Sequence, residues 1–175
     1  MHATEQIIET ERLRLRSFAL SDYEALCVLF ADSEVMKSSM SGTKTSEEVS
    51  AWLIEQVERR GDGIELQAVE RKDSTCVIGY CGLSEFSNTD GKVEIQIGYR
   101  LIRQYWGNGY ATEAAGVVRD FAFTVLSVNR LVALIEPINV RSIAVARKIG
   151  MVYEKEVLLE GYDHPDHLYS VCRSH

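Results

Sequence analysis

The sequence predicts a single-domain mixed α/β fold, and three observations carry that prediction. Alternating stretches punctuated by turn residues over about 64–101 read as three antiparallel strands. Small apolar residues recur at helical spacing after Gly109. A strand, a helix and two further strands close the chain. The full order is strand, two helices, three strands, helix, strand, helix, two strands: an antiparallel meander feeding a central helix crossover. One domain over residues 1–175 is expected, long enough to bury a core without disulfide or metal staples.

Arg12-Leu13-Arg14-Leu15-Arg16 alternates with period two and predicts the first strand, with its arginines on a solvated face. Ser21-x-x-Glu24 reads as a capping box for a helix with Leu26, Leu29 and Phe30 on one stripe. A second helix opens at Thr45-x-x-Glu48, buries Val49, Trp52, Leu53 and Val57, and stops before Gly61. Strands follow at about 64–70 and 75–84. Asn88-Thr89-Asp90-Gly91 then turns the chain into a third strand at about 92–101. Ala111, Ala114, Ala115, Val118, Phe121 and Ala122 mark the crossover helix, and Leu131–Ile135 the next strand. Asn139 N-caps a helix carrying Ile143, Ala146 and Ile149, with Gly150 just past its end. The last strands fall at about 151–159 and 167–173.

Composition narrows the function classes. Nineteen basic against 26 acidic residues give a net charge of −7, so a globally basic nucleic-acid footprint is absent. The first residues, Met1 to Gln6, show no cationic stretch followed by an apolar one, and no apolar run approaches the ~20 residues of a membrane span. Cys27, Cys76, Cys81 and Cys172 form no C-x-x-C pair and read as free thiols of a reducing cytoplasm. Gly161-Tyr162-Asp163-His164-Pro165-Asp166-His167 reads as a turn between the last two strands before it reads as a metal site.

The chemistry-bearing stretch is Gln104-Tyr105-Trp106-Gly107-Asn108-Gly109-Tyr110-Ala111-Thr112-Glu113. Two glycines one residue apart, where a strand connects to a helix, let backbone N–H groups converge on a phosphate at the helix N-terminus. A dinucleotide fingerprint fits poorly. Thr112 holds its third small position, Ile102–Trp106 intervene after the strand, and no βαβ alternation precedes it. A Walker loop fails because no lysine followed by Ser or Thr comes after the glycines.

Taken in order, the motifs resemble the GCN5-related N-acetyltransferase (GNAT) superfamily, in the branch of ribosomal-protein alanine N-acetyltransferases and spermidine acetyltransferases. Gln104, Gly107 and Gly109 match the family's Arg/Gln-x-x-Gly-x-Gly/Ala loop. Thr10-Glu11-Arg12-Leu13-x-Leu15-Arg16 resembles the branch's opening strand. Ile97-Gly98-Tyr99 resembles the strand before the loop, and Tyr110–Ala114 the start of its main helix. Asn139-x-x-Ser142 and Lys148-x-Gly150-Met151 are similar to its second coenzyme motif, with Met151 where Phe is common. The resemblance spans about residues 9–173. It implies a central, mostly antiparallel twisted sheet of about six to seven strands flanked by about four helices.

It also implies acetyl-CoA as cosubstrate, with no metal. The pyrophosphate would sit on backbone N–H groups from Gly107 to Ala111, in the loop that includes Trp106, Asn108 and Tyr110. Pantetheine would run beside Ile97, Gly98, Tyr99 and Leu101, and a backbone N–H near Tyr99 would polarise the thioester carbonyl. Asn139 would reach the pantetheine, Ser142 the sulfur, and Arg147 and Lys148 the phosphates.

Acetyl transfer also needs a neutral amine. Val93, Ile95, Ile97 and Tyr99 alternate against Glu94, Gln96 and Gly98. Many relatives carry glutamate immediately before Ile-Gly-Tyr; Gln96 stands there, and an amide is not a base. Glu94, one pleat earlier on the same face, is the candidate base. Deprotonating a lysine-like amine at pH 7 costs roughly 4–5 kcal/mol, against about 1 kcal/mol for an α-amine. The expected acceptor is therefore an amine, with a protein N-terminus favoured over polyamines or small amines. A cytoplasmic monomer or homodimer is expected, engaging neither nucleic acid nor membrane. The alternative is a coenzyme A-binding sensor or interaction protein without transferase activity.

Overall fold

The computed structural model describes residues 7–59, 63–87 and 91–174. The expected turn at Asn88-Thr89-Asp90, the stop at Gly61 and the reading of Met1 to Gln6 lie outside the described residues.

Eight strands form one sheet in the order β1-β2-β3-β4-β5-β6-β8-β7. They are β1 (Ile8–Glu9), β2 (Leu13–Arg16), β3 (Leu66–Arg71), β4 (Val77–Ser87), β5 (Val93–Leu101), β6 (Arg130–Ile135), β7 (Val152–Val157) and β8 (Asp166–Cys172). Five α-helices accompany them: α1 (Tyr23–Ala31), α2 (Ser33–Met36), α3 (Ser46–Glu58), α4 (Tyr110–Thr124) and α5 (Val140–Lys148). Both counts exceed the expected six to seven strands and four helices by small elements. The two-residue β1 and the one-turn α2 are too short to show a period in sequence. Asp32 nevertheless caps α2, its carboxylate accepting from Glu34 N at 2.9 Å and Val35 N at 3.4 Å.

The sheet is sandwiched. On one face α4 and α5 press Ala114, Ala115, Val118, Ala122, Ala146 and Ile149 onto residues such as Leu13, Leu15, Ile97 and Leu131. On the other, α1–α3 bury Leu26, Leu29, Phe30, Met36, Val49 and Leu53 against Ala68. Trp52 packs edge-on to Phe18 and Phe30, with ring centroids 5.3 and 5.0 Å apart. The α3 capping box forms as its sequence requires: Thr45 N donates to Glu48 Oε2 at 2.7 Å and Glu48 N to Thr45 Oγ1 at 3.3 Å. The Ser21 box does not. Leu20–Asp22 wind into a 3₁₀ turn, and Asp22 accepts from Ala19 N at 2.9 Å while holding both terminal nitrogens of Arg16 at 2.9 and 2.8 Å. A buried carboxylate that can bind a guanidinium at two points outcompetes a serine hydroxyl as the local organiser.

The arginine row at 12–16 stays solvent-accessible at Arg12 and Arg14 and also forms an ion-pair ladder. Arg12 pairs with Glu113, Arg14 with Glu9 and Glu70, and Arg16 with Glu70 and Asp22.

The feature that creates a site lies between β5 and β6. All other neighbouring strands run antiparallel; this pair is parallel and registers only at Ile95↔Leu131 and Gln96↔Val132. Beyond Gln96 the strands part. The facing backbone edges of 97–101 and 133–135 are left without each other, although β5 keeps its full pairing to β4 on its far side.

Candidate active site

The parted strands open into a cavity of about 1210 Å³ that reaches both faces of the sheet. Ordinary small-molecule pockets hold roughly 300–1,000 Å³, so there is room for a long cosubstrate and a second molecule. Ile97, Gly98, Tyr99 and Leu101 line it from β5; Trp106, Gly107, Gly109, Tyr110 and Ala111 from the loop and α4; Asn139, Ser142 and Lys148 around α5.

The glycine loop is built as an anion cradle. Gly107 and Gly109 take φ of +78° and +80°, a conformation that side chains other than glycine adopt at a cost. The first helical bond of α4 is Glu113 N to Gly109 O at 3.0 Å, so the N–H groups of Tyr110, Ala111 and Thr112 have no helix partner. These orphan donors at the positive end of a 15-residue helix fit a pyrophosphate.

Side chains hold the loop's shape. Trp106 Nε1 donates to Leu101 O at 2.8 Å, and Asn108 Nδ2 donates to Tyr105 O and Trp106 O at 3.1 Å each. Arg12 Nη1 donates to Asn108 O at 2.9 Å, and its guanidinium lies 4.4 Å from the Tyr110 ring centre. Glu113 fixes Arg12 in turn, accepting from its backbone N at 2.9 Å, from its Nε at 2.7 Å and from Thr10 Oγ1 at 2.5 Å. Burial works to raise the Glu113 pKa, but these hydrogen bonds outweigh it and hold the carboxyl below its usual value.

Asn139 N-caps α5 through Ser142 N at 3.1 Å, and Tyr99 Oη donates to Ser142 O at 2.8 Å. Burial raises the Tyr99 phenol, keeping it a proton-bearing donor. The sheet's alternation places Ile97, Tyr99 and Leu101 toward α4 and α5. Gly98 sits on the opposite face, where an added Cβ would meet nothing within 4 Å.

Four sequence candidates are not brought to the cavity. Gln104 and Arg147 are exposed away from it, and Asn108 serves the loop from outside. Glu94 is turned toward Arg130, whose Nε lies 3.4 Å from Glu94 Oε1 and whose Nη2 also bonds Glu154 at 2.8 Å; Lys92 Nζ lies 3.9 Å away. The register explains this. Glu94 precedes the Ile95↔Leu131 pair, where β5 and β6 are still joined, so its lateral neighbour on the same face is Arg130, and it lies short of the gap that Gln96 and Gly98 line.

Sequence reading also missed residues. Arg141 lines the cavity and stacks 4.6 Å over the Trp106 ring centre. A cation in the first turn of a helix opposes the dipole, and that mismatch at 141 was the available signal. Arg100 and Glu136 also line the cavity, and no local motif marks them; Tyr162 and Asp166 of the turn stretch at 161–167 line it as well.

A parted parallel pair beside a glycine-led helix N-terminus defines a transferase that draws its acyl group from a coenzyme thioester. The chain belongs to the GNAT acetyltransferase family: the model described as acetyltransferase (GNAT) domain matches residues 12–152. It is 34% identical over 162 residues to an uncharacterized N-acetyltransferase, p20, of Bacillus licheniformis, covering 90% of this chain and 88% of that one. A GNAT-family acetyltransferase from Bacillus anthracis superposes with a TM-score of 0.84 at 25% identity, covering 95% of this chain and 98% of the other. The fold is shared with RimL, a ribosomal L7/L12 alpha-N-protein acetyltransferase solved with coenzyme A (TM-score 0.79, 19% identity, 96% and 98% covered). Among the described residues no helix is long and apolar enough to cross a membrane.

Proposed function

We propose that this GNAT acetyltransferase takes the acetyl group of acetyl-CoA and passes it directly to an amine, with the α-amine of a protein or peptide N-terminus as the favoured acceptor. The observation that carries the coenzyme half is the parting of β5 and β6 beside the orphan N–H groups of Tyr110, Ala111 and Thr112. Coenzyme A bound to RimL on the same fold supports it. In this reading the pyrophosphate rests on the Gly107–Ala111 backbone, and the pantetheine pairs with the free edge of 97–101 as an added strand would. Trp106, Asn139 and Lys148 border it, and Arg141 adds positive charge near the phosphates.

The amine attacks the thioester carbonyl while a backbone N–H near Tyr99 donates to the developing oxyanion. The C–N bond forms, the C–S bond breaks, and Ser142 donates to the departing thiolate. Glu94 is held by Arg130, so the amine's proton passes to water. An α-amine needs a protein base least, since its deprotonation costs only about 1 kcal/mol at pH 7.

Acetyl-CoA at millimolar concentration should raise Tm, because a ligand of the folded state stabilises it by mass action. Thiol release should then depend on an added amine. A protein stabilised by acetyl-CoA that releases no thiol with peptide, polyamine or small amines would instead be a coenzyme-binding sensor.

A further inference from the structure

The cavity has a second end that the coenzyme reading does not use. There β6 runs out at Ile135, paired with His167 of β8, and the next residues along each strand, Glu136 and Asp166, both line the cavity. Asp166 is only 6% exposed, and its Oδ1 is fully buried without a hydrogen-bond partner. Glu136 Oε2 is buried and unpartnered as well. The cations nearby are committed elsewhere or only loosely engaged. His164 Nε2 lies 3.4 Å from Glu136 Oε1 while its Nδ1 is held by Asp163 at 2.7 Å. His167 faces Glu156 at 3.9 Å, and Arg100 Nη1 sits 3.2 Å from Met36 Sδ. Among the described residues Asp166 forms no ion pair.

A buried Asp166 carboxylate with no counter-charge, beside a half-buried Glu136 that has one unpartnered oxygen and a loosely engaged His164, costs the fold free energy unless a ligand supplies the missing donors. We propose that Glu136 and Asp166 form the subsite that receives the acceptor as its ammonium ion, ahead of its deprotonation and attack. This deepens the transferase reading and rests on it. An ammonium carries three donors and a positive charge, the chemistry that both unpartnered oxygens lack. Loss of solvent raises the Asp166 carboxyl, as expected of an anion waiting for a cation. The site fits the geometry of transfer, because Ser142, Gly98, Glu136 and Asp166 line one cavity and Gly98 puts no side chain into it.

The test uses the full chain saturated with coenzyme A, titrated with spermidine and separately with an alanine-initiated peptide amide to ten millimolar. At least one amine should raise Tm of the wild-type complex. Asp166→Asn and Glu136→Gln should abolish that shift, while the exposed-surface control Glu156→Gln keeps it. In turnover, each of the two site variants should lower kcat/KM for the amine at least 10-fold, chiefly through KM, with the acetyl-CoA Tm shift unchanged. Either of two results overturns the subsite: no amine stabilises the wild-type complex, or both variants are stabilised as the wild type is. Failure of acetyl-CoA itself to shift Tm would overturn the transferase reading instead. Glu136→Gln stands alone as the test should Asp166→Asn not fold.

Discussion

Tyr99 Oη donates a 2.8 Å hydrogen bond to the main-chain oxygen of Ser142, tying β5 to the first turn of α5 across the gap where β5 and β6 have parted. Asn139 holds the same residue from the other side through Ser142 N. Ser142 is thereby fixed at both its amide and its carbonyl, and its side chain is presented from a rigid position. Tyr99→Phe should lower stability by about 1 kcal/mol, the worth of one hydrogen bond, and turnover several-fold more than that loss implies. Ser142→Ala should lower turnover about 10- to 100-fold, on the scale of losing one donor to developing charge, with Tm nearly unchanged because alanine is a good helix residue. Chemical-step rates set beside melting curves check both. A large Tm loss with unaltered turnover in Ser142→Ala would make Ser142 a packing residue.

The glycine loop makes a sharper claim. Gly107 and Gly109 both sit at φ near +80°, so any side chain there is strained even though space is open beside Gly107. Replacement by alanine costs roughly 1–2 kcal/mol per residue held left-handed, which the loop would relieve by moving its N–H groups. Gly107→Val and Gly109→Val should each abolish the Tm shift produced by acetyl-CoA while leaving a folded protein. Retention of the full shift would show that these N–H groups do not hold the pyrophosphate.

Glu94→Gln separates the sequence's choice of base from the structure's placement of it. With Glu94 paired to Arg130 and outside the cavity lining, turnover should stay within about threefold of the wild type. Tm should fall slightly, since Arg130 keeps Glu154 as a partner. A positioned general base contributes roughly 10²-fold or more. A loss of that size, with acetyl-CoA affinity unchanged, would restore Glu94 to the chemistry. Amine saturation kinetics across pH give the reading.

What could be read from the sequence was whatever local chemistry decides. Thr45 and Glu48, Asn139 and Ser142, and the two glycines before α4 each specify their geometry within five residues. The alternation of β5 correctly put Ile97 and Tyr99 on the face opposite Gly98. Glu94 shows where this stops: its face was legible, but not that Arg130 of β6 would lie beside it just short of the gap. The parting after Gln96↔Val132 lies between positions more than thirty residues apart in sequence, so no window of sequence contains it. Arg12 is exposed as its alternation reads, but its partner Glu113 lies 101 residues away and could not be read locally. Glu136 and Asp166 meet only because β6 and β8 are neighbours, and neither carries a motif.

The Glu113–Arg12 tie gives a prediction with a pH signature. Glu113 has its carboxyl held below the usual range by Thr10 and Arg12, against the opposing pull of burial. A carboxyl with a depressed folded-state pKa stabilises the fold at every pH above its unfolded value, near 4.3, and that contribution disappears as pH falls through the folded value. Glu113→Gln should therefore lower Tm at pH 7, by roughly 3–6 °C for the loss of about 1.5 kcal/mol in a domain of this size. The gap between variant and wild type should narrow steadily below about pH 4, where the wild-type carboxylate itself is protonated. Because Arg12 carries the tie on to Asn108 O, the variant should also bind acetyl-CoA less tightly at pH 7, although the Glu113 side chain does not itself line the cavity. Melting curves from pH 3 to 8, with and without acetyl-CoA, measure both effects. A Tm difference independent of pH would assign Glu113 a packing role, and unchanged acetyl-CoA affinity would show that the loop keeps its shape without Arg12.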